Sequence, residues 1–365
     1  MAVYQAVQMG RTVMHRVACL VVLIFLTSGA AVSKDRSDTV VVVAGLTDTR
    51  LTNALTQDAR KLGHKVVELP AQIFALTRTL KAEIEDNHNS ESGSRAPAHL
   101  NAFSDAILAA MPDLFSYRHI RVISEEMLPL ELVRQKAFLG DVAEIAHEFP
   151  SRTSPLGRRD RRLALQRYFI DAVIRMEPPH PRASQDIVQL ALKLENEIPV
   201  DLSFGGGGTD RFFGLLASKD VSILHIDTHG GPGGRAIQIS RTGTMLSSDT
   251  VPTGIRVPVI LLFGCEGLAS DRSFGAVLRA RGAEAVISAV ATFESFGLTG
   301  DPTREQAIYD AFLSALKSGE TIGAALLSLR QTARREVSLA AEGATLTRLL
   351  FVLLGRDDLS FAWPR

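Results

Sequence analysis

Cysteine is nearly absent from this 365-residue chain, which has Cys19 and Cys265 and no others. That scarcity excludes a disulfide framework and a multi-cysteine zinc knuckle. Aromatic residues make up 6% and leave few platforms on which bases could stack. Neither sign of charge is in excess, with 40 Lys+Arg against 40 Asp+Glu. Without a global field to hold a polyanion, the chain has no basis for nucleic acid or an anionic membrane as its main partner. No internal repeat of fixed period occurs, so a helical array is excluded as well. What the chain does have is 46% hydrophobic residues, enough over this length to bury a full core, in two lobes.

Residues 1–31 have the layout of a signal peptide. Arg11, His15 and Arg16 precede the apolar run Val17-Ala-Cys-Leu-Val-Val-Leu-Ile-Phe-Leu26, and the small residues Thr27 to Ala31 follow it. The run is shorter than the roughly 20 apolar residues a membrane span requires, so the expectation is a cleaved leader near Ala30 or Ala31 with no stable span afterwards. An uncleaved N-terminal anchor is the alternative. Arg16 stands where a lipobox needs a small apolar residue, so Cys19 is not a lipidation site. The exported protein, periplasmic or extracellular, would keep Cys265 as its lone thiol. In an oxidising compartment such a thiol has no intramolecular partner, which points towards a nucleophile.

Three blocks follow: an N-terminal α/β lobe over 38–150, a helical or linker region over 151–200, and a second α/β block over 201–365. In the first, Thr39-Val-Val-Val-Val-Ala44 reads as a strand covered on both faces. Leu51, Leu55, Ala59 and Leu62 recur at helical spacing before Gly63, and Lys65 to Leu69 is a second strand. Helical periodicity runs from Ile73 to Ile84, a polar loop is expected over 86–97, and a helix (Leu100 to Ala110) and strand (His119 to Ile123) complete the lobe. The segment from Ser151 to Arg162 carries Pro155, Gly157 and five arginines, the composition of an exposed connection. Arg158-Arg-Asp-Arg-Arg162 is accordingly an expected processing site. In the third block, Val221 to His229, Val257 to Phe263 and Ala285 to Ala291 read as strands, with a helix over Ser273 to Arg281. Strands alternating with helices imply a mainly parallel sheet whose ligands gather at the carboxyl ends of its strands.

His229 and Cys265 both fall at such ends. His229 opens His229-Gly-Gly-Pro-Gly-Gly234, and Cys265 stands in Phe263-Gly-Cys-Glu-Gly267. Glycine at these places lets the backbone turn sharply and brings amides close to a substrate carbonyl. A thiol needs a base nearby to become a thiolate at neutral pH, and an imidazole on the adjacent strand end supplies one. Taken singly, His229 reads as a turn residue and Cys265 as a small buried hydrophobe. Together they form a candidate dyad.

The passages Ile223-Leu-His-Ile-Asp-Thr-His-Gly230, Ile260-Leu-Leu-Phe-Gly-Cys-Glu-Gly267 and Leu278-Arg-Ala-Arg-Gly-Ala-Glu-Ala-Val-Ile-Ser288 resemble the caspase-hemoglobinase clan of cysteine peptidases. Within that clan the chain is most similar to CHAT domains, with gingipain-like peptidases next. CHAT domains carry a histidine four residues before the catalytic His-Gly, as His225 is here, and a Cys-Glu pair after an apolar strand. The resemblance extends over about 215 to 357 and ends at Leu353-Leu-Gly-Arg-Asp-Asp-Leu359, where Arg356-Asp357 replaces the family's Asp-Pro. The repeat array that usually precedes a CHAT domain is missing, and so is the caspase Gln-Ala-Cys pattern. The resemblance implies a caspase-like, mainly parallel sheet flanked by helices, with the smaller N-terminal α/β lobe beside it. It also implies a cofactor-independent cysteine endopeptidase acting on polypeptides through an acyl-enzyme. His229 would be the general base, Cys265 the nucleophile, and the amides of Gly230 and Cys265 the oxyanion hole. Glu266 matches the Cys-Glu pair, as a substrate-binding or structural residue.

On an extended strand His225, Asp227 and His229 share one face, which makes Asp227 a candidate orienter of His229 or a buried, hydrogen-bonded polar residue. The same three residues with Cys265 could offer zinc ligands, so a zinc hydrolase is one alternative. A catalytically inactive binding protein of the same fold is another. An α/β-hydrolase is excluded, because no Gly-x-Ser-x-Gly occurs and the nine histidines end at His229, before Cys265. Phe204-Gly-Gly-Gly-Gly-Thr-Asp210 lacks the Gly-Lys-Ser/Thr ending of a phosphate-binding loop and reads as a hairpin or flexible turn. If the enzyme favours basic residues, Asp227, Glu266 and Glu294 are the acids near the strand ends. The sequence names neither the preferred substrate residue nor the oligomeric state.

Overall fold

A computed structural model of the protein describes residues 38–89, 97–150, 161–173, 181–205, 207–291, 302–336, 346 and 348–364. Thr39–Ala44 forms β1, buried at every position as its β-branched run requires. Asp48 caps α1 (Thr49–Lys61) by accepting the Arg50 amide at 2.8 Å, and Gly63, at φ +72°, ends that turn before β2 (Lys65–Leu69). Then come α2 (Ile73–Asn89), α3 (Leu100–Ala110), β3 (His119–Ser124) and β4 (Glu144–Glu148). The helical pattern of α2 runs on to Asn89, so the loop expected to open at Asp86 begins inside a helix, and 90–96 lie outside the described residues.

The remaining elements are β5 (Arg161–Ala164), β6 (Tyr168–Ala172), α4 (Pro181–Glu195), β7 (Val200–Ser203), α5 (Gly208–Leu216), β8 (Ile223–Asp227), β9 (Ala236–Gln238), β10 (Met245–Ser247) and β11 (Val259–Phe263). After these the chain forms α6 (Phe274–Arg281), β12 (Ala285–Ala289), α7 (Pro302–Lys317), α8 (Ile322–Glu336), β13 (Phe351–Gly355) and β14 (Leu359–Ala362). The glycine run after Phe204 leads from β7 into α5 instead of forming a hairpin, with Gly207 at φ +108°.

Ten strands make one sheet in the order β2-β1-β3-β4-β13-β12-β11-β8-β6-β7. All neighbours are parallel except β12 and β13, so two parallel halves meet there and run in opposite directions. The N-terminal strands thus share a sheet with the C-terminal block through the pairing of β4 with β13. Both faces are covered, as a parallel sheet requires. Val40 and Val42 pack in one cluster beside Leu80 of α2 and Phe103 of α3, whereas Val41 and Val43 pack with Leu55 and Ala59 of α1. In the other half, Ile223, Leu261 and Ile287 lie with residues of α4, α7 and α8, while Leu224, Ile260 and Val286 lie with α5 and α6.

The signal-peptide expectation falls on residues outside the described ones, and no helix among the described residues is long and apolar enough to cross a membrane. Of the basic connection, 151–160 also lie outside. Arg161 and Arg162 are exposed but belong to β5, which pairs parallel with β14, and Arg161 forms an ion pair with Glu284.

Candidate active site

Strands β8 and β11 are adjacent and parallel, with Asp227 opposite Phe263 at their carboxyl ends. Neighbouring parallel strands therefore deliver their following loops to the same place. The first loop carries His229 and the second Cys265. They are joined by their backbones, since the Thr228 amide donates to the Phe263 carbonyl at 3.0 Å. A methyl group on Gly230 would collide with the Cys265 carbonyl oxygen and stand 3.0 Å from the Cys265 nitrogen. One on Gly234, at φ +64°, would collide with the Glu266 carbonyl. Gly230 and Gly234 are thus required by close approach to the Cys265 loop.

His229 is exposed and stands beyond the strand, which ends at Asp227. Strand alternation does not extend to it, so the shared face expected for His225, Asp227 and His229 holds only for the first two. The loop is held on its other side: the His229 carbonyl accepts from the Gln238 amide at 3.0 Å, and the Gly231 amide donates to Ala236 at 2.8 Å, both against the β9–β10 hairpin. Cys265 forms no disulfide, is half-buried, and packs against the core beneath α4, α7 and α8, the face that Phe263 also occupies. Glu266, next in the chain, is the non-glycine residue with positive φ among the described residues, at +56°. Such a conformation persists only where the surroundings over-determine it, and it recurs at active sites.

His225 is buried among Tyr168, Phe263 and Tyr309, with the Phe263 ring centroid 4.7 Å away. Its Nδ1 lies 3.3 Å from the Tyr168 hydroxyl, and its Nε2 has no hydrogen-bond partner. Burial lowers its pKa to about 3, so the ring is neutral, and burial raises the Tyr168 pKa. Asp227, on the same face of β8, is 2% exposed, and its Oδ1 is likewise without a partner. Burial raises its pKa to about 8, leaving the carboxyl protonated at neutral pH.

The zinc-ligand reading requires His225, Asp227 and His229 to converge. Among the described residues, the group of three whose ligand atoms lie within 4.8 Å of one another is instead His119, Glu144 and Asp357. There Arg121 pairs with Asp357 at 3.3 Å, and His119 Nδ1 lies 3.5 Å from Glu144 Oε2. Glu294 lies outside the described residues. Sequence reasoning missed Glu85 of α2, a partly buried carboxyl near enough to Glu266 for the charge of Glu266 to raise its pKa, after the larger effect of burial. Its signal was the Lys81/Glu85 spacing of four on a helix, but nothing in the sequence placed that helix beside Cys265.

No protein-family profile matches the chain, and no curated protein sequence does. Among solved structures it is similar to the Arg-specific cysteine proteinase gingipain R, with a TM-score of 0.53 at 11% identity over 91% of this chain and 80% of that one. A structure described as a protease matches at 0.52 and 14% identity, over 91% of this chain and 79% of that one. The complex of the Porphyromonas gingivalis RgpB pro- and mature domains matches at 0.51 and 10%, over 89% and 80%. The likeness is one of fold: the chain has the caspase-like α/β architecture of cysteine peptidases of the gingipain type.

Proposed function

We propose that the protein is a cysteine endopeptidase in which His229 acts as general base and Cys265 as nucleophile. The observation that carries this reading is the backbone contact between the His229-Gly230 loop and the Gly264-Cys265 loop at the carboxyl ends of adjacent strands. In the reaction, His229 takes the thiol proton and the Cys265 sulfur attacks the scissile carbonyl carbon. The amides of Gly230 and Cys265 stabilise the oxyanion, and the imidazolium returns the proton to the departing amine. Water, deprotonated by the same imidazole, then releases the acyl group. The CHAT-like branch and export of the mature chain are parts of the same proposal, supported by the sequence motifs and the N-terminal layout.

Asp227 is the acid we place against the substrate. It lies on the sheet face that Phe263 and Cys265 share. Gingipain R is described as Arg specific; Asp227, enclosed and protonated in the free protein, would give up its proton as a basic substrate side chain enters and then pair with it as a carboxylate.

The test is alkylation of Cys265 by iodoacetamide across pH, beside hydrolysis of arginyl and alanyl peptides. We expect Cys265 to react well below the ordinary thiol pKa of about 8.5. We also expect His229→Ala to abolish that low-pH reactivity, and a chelator to change nothing. A thiol that titrates normally in both proteins rejects the dyad. Fractionation that finds the full-length chain in the cytoplasm rejects export. For cleavage at Arg158 to Arg162, the reading is intact mass beside that of Cys265→Ala.

A further inference from the structure

The turn that carries the nucleophile, Cys265-Glu266-Gly267, is tied to its surroundings through its backbone. The Glu266 amide donates to the Ala291 carbonyl at 3.3 Å, the Leu268 amide donates to Ala289 at 2.9 Å, and the Gly267 carbonyl accepts from the Gly275 amide at the start of α6 at 2.8 Å. How closely the turn approaches the sheet is set by a side chain. Ser288 of β12 is fully buried, and a methyl group on Gly267 would collide with its hydroxyl oxygen and stand 3.2 Å from its Cβ. Gly267 is not among the glycines with positive φ, so glycine is required there for space and not for backbone conformation.

The Ser288 oxygen is itself held. Ser288 pairs with Leu262 of β11, and its hydroxyl donates to the Leu262 carbonyl at 2.6 Å. A buried hydroxyl whose proton is committed in this way stays in one rotamer and offers a fixed surface. Leu262 lies three residues before Cys265 and Gly267 two after it, so one hydroxyl touches the chain on both sides of the nucleophile. Strand alternation places Ser288 with Val286, on the face opposite to the one on which Cys265 packs. The turn is thus supported from beneath while its thiol is left on the other side.

We propose that Ser288 is a positioning residue for Cys265: its hydroxyl, held by Leu262, is the seat against which Gly267 rests, and it thereby sets where the thiol stands relative to His229. The role in catalysis rests on the peptidase reading above, but the seat itself is measurable without catalysis.

Wild type, Ser288→Ala, Gly267→Ala and the double variant are compared by hydrogen exchange of the Glu266 and Leu268 amides, by iodoacetamide alkylation read at Cys265 across pH, by kcat and KM, and by the urea midpoint. Ser288→Ala removes the oxygen beneath the turn. Exchange at both amides should quicken, alkylation should move towards the ordinary thiol pKa of about 8.5, and kcat should fall about tenfold with little change in KM, the effect of a slightly misplaced nucleophile. Gly267→Ala lifts the turn off its seat and should cost on the order of 100-fold in kcat. In the double variant the oxygen that the new methyl group meets is gone, so kcat should recover by about tenfold from Gly267→Ala, and exchange should slow again, a coupling that independent sites do not show. Additive losses in the double variant overturn the seat. So does a Ser288→Ala protein with a lower urea midpoint but the exchange, alkylation and kcat of wild type, and where Gly267→Ala does not fold, Ser288→Ala decides alone. If no protein hydrolyses peptides while exchange follows this pattern, the seat stands and the peptidase reading fails. If exchange is unchanged while Cys265 alkylation still depends on His229, the reverse holds.

Discussion

Two sets of buried polar side chains lie in this sheet and differ in how their charges are met. Glu131, Asp141, His147, Arg330 and Arg348 are each at most 3% exposed. Arg330 donates to Glu131 at 3.1 Å, His147 Nε2 stands 3.1 Å from the same carboxylate, and Arg348 donates to Asp141 through Nε and Nη2 at 3.0 and 2.8 Å. His225 and Asp227 are as deeply buried, but the carboxyl of Asp227 has burial as its cause of shift and no opposing cation. The first set joins α8 and the 348–350 segment to the loops before β4. The second sits at the end of β8, one strand from the Cys265 loop. Burial by itself therefore does not separate a structural cluster from a candidate site. Charge compensation does, because an uncompensated group is retained at a cost that packing alone does not explain.

The largest effect that would break this contrast is on chemistry. Cys265→Ala should reduce peptide hydrolysis on the order of 10⁴-fold or more, as removal of a nucleophile does, with an unchanged urea midpoint. A shifted midpoint would make Cys265 a core residue first. Arg330→Met removes the guanidinium from a buried carboxylate, leaving Glu131 with only His147 against it, and should cost about 3–5 kcal/mol in urea unfolding. A near-neutral result would show that the network is not what holds α8 to the sheet.

Asp227 gives a smaller effect of opposite sign. Its carboxyl keeps a proton to about pH 8 in the fold but loses it near 3.8 when unfolded, so its stabilising contribution is full at acid pH and lost as pH rises to about 8. Asp227→Asn should remove this alkaline loss and raise stability at pH 8 by on the order of 3 kcal/mol, while raising KM for arginyl peptides more than for alanyl ones. Equal pH slopes in variant and wild type would put a hidden cation next to Asp227. Glu131 behaves in reverse. Burial would raise its pKa, but His147 and then Arg330 hold it below the usual carboxylate range, so its contribution is lost as pH falls. Wild type should thus lose stability at both ends of the pH range, the acid loss being absent from Glu131→Gln. Smallest is Gly230→Ala, whose methyl group meets the Cys265 carbonyl. It should cost about 100-fold or less in kcat by displacing oxyanion donors, and unchanged kcat would remove Gly230 from that role.

Much of the fold was legible because local rules and tertiary packing agree. The bounds of β1, β2 and α3 match what β-branching and helical spacing imply, with β1 buried throughout, β2 burying Leu69, and α3 burying Leu100, Phe103 and Ile107. Where they part, the reason is physical. Alternation over Val221 to His229 implied a strand to His229, but β8 ends at Asp227 because the chain must turn there to bring Gly230 against Cys265. The polar stretch after Ile84 looked like a loop, but α2 continues to Asn89, with Glu85 partly buried and paired with Lys81.

By itself the sequence determined that parallel strands would carry His229 and Cys265 near their carboxyl ends, because residue type, strand periodicity and flanking glycine are local properties. Only the tertiary structure decided that the N-terminal strands share one sheet with the C-terminal ones through β4 and β13. It also decided that Asp227 is enclosed without a counter-charge while Glu131 is paired. Contacts between residues more than a hundred positions apart, and the burial that sets a carboxyl's protonation, arise from how elements pack, and no local pattern encodes them.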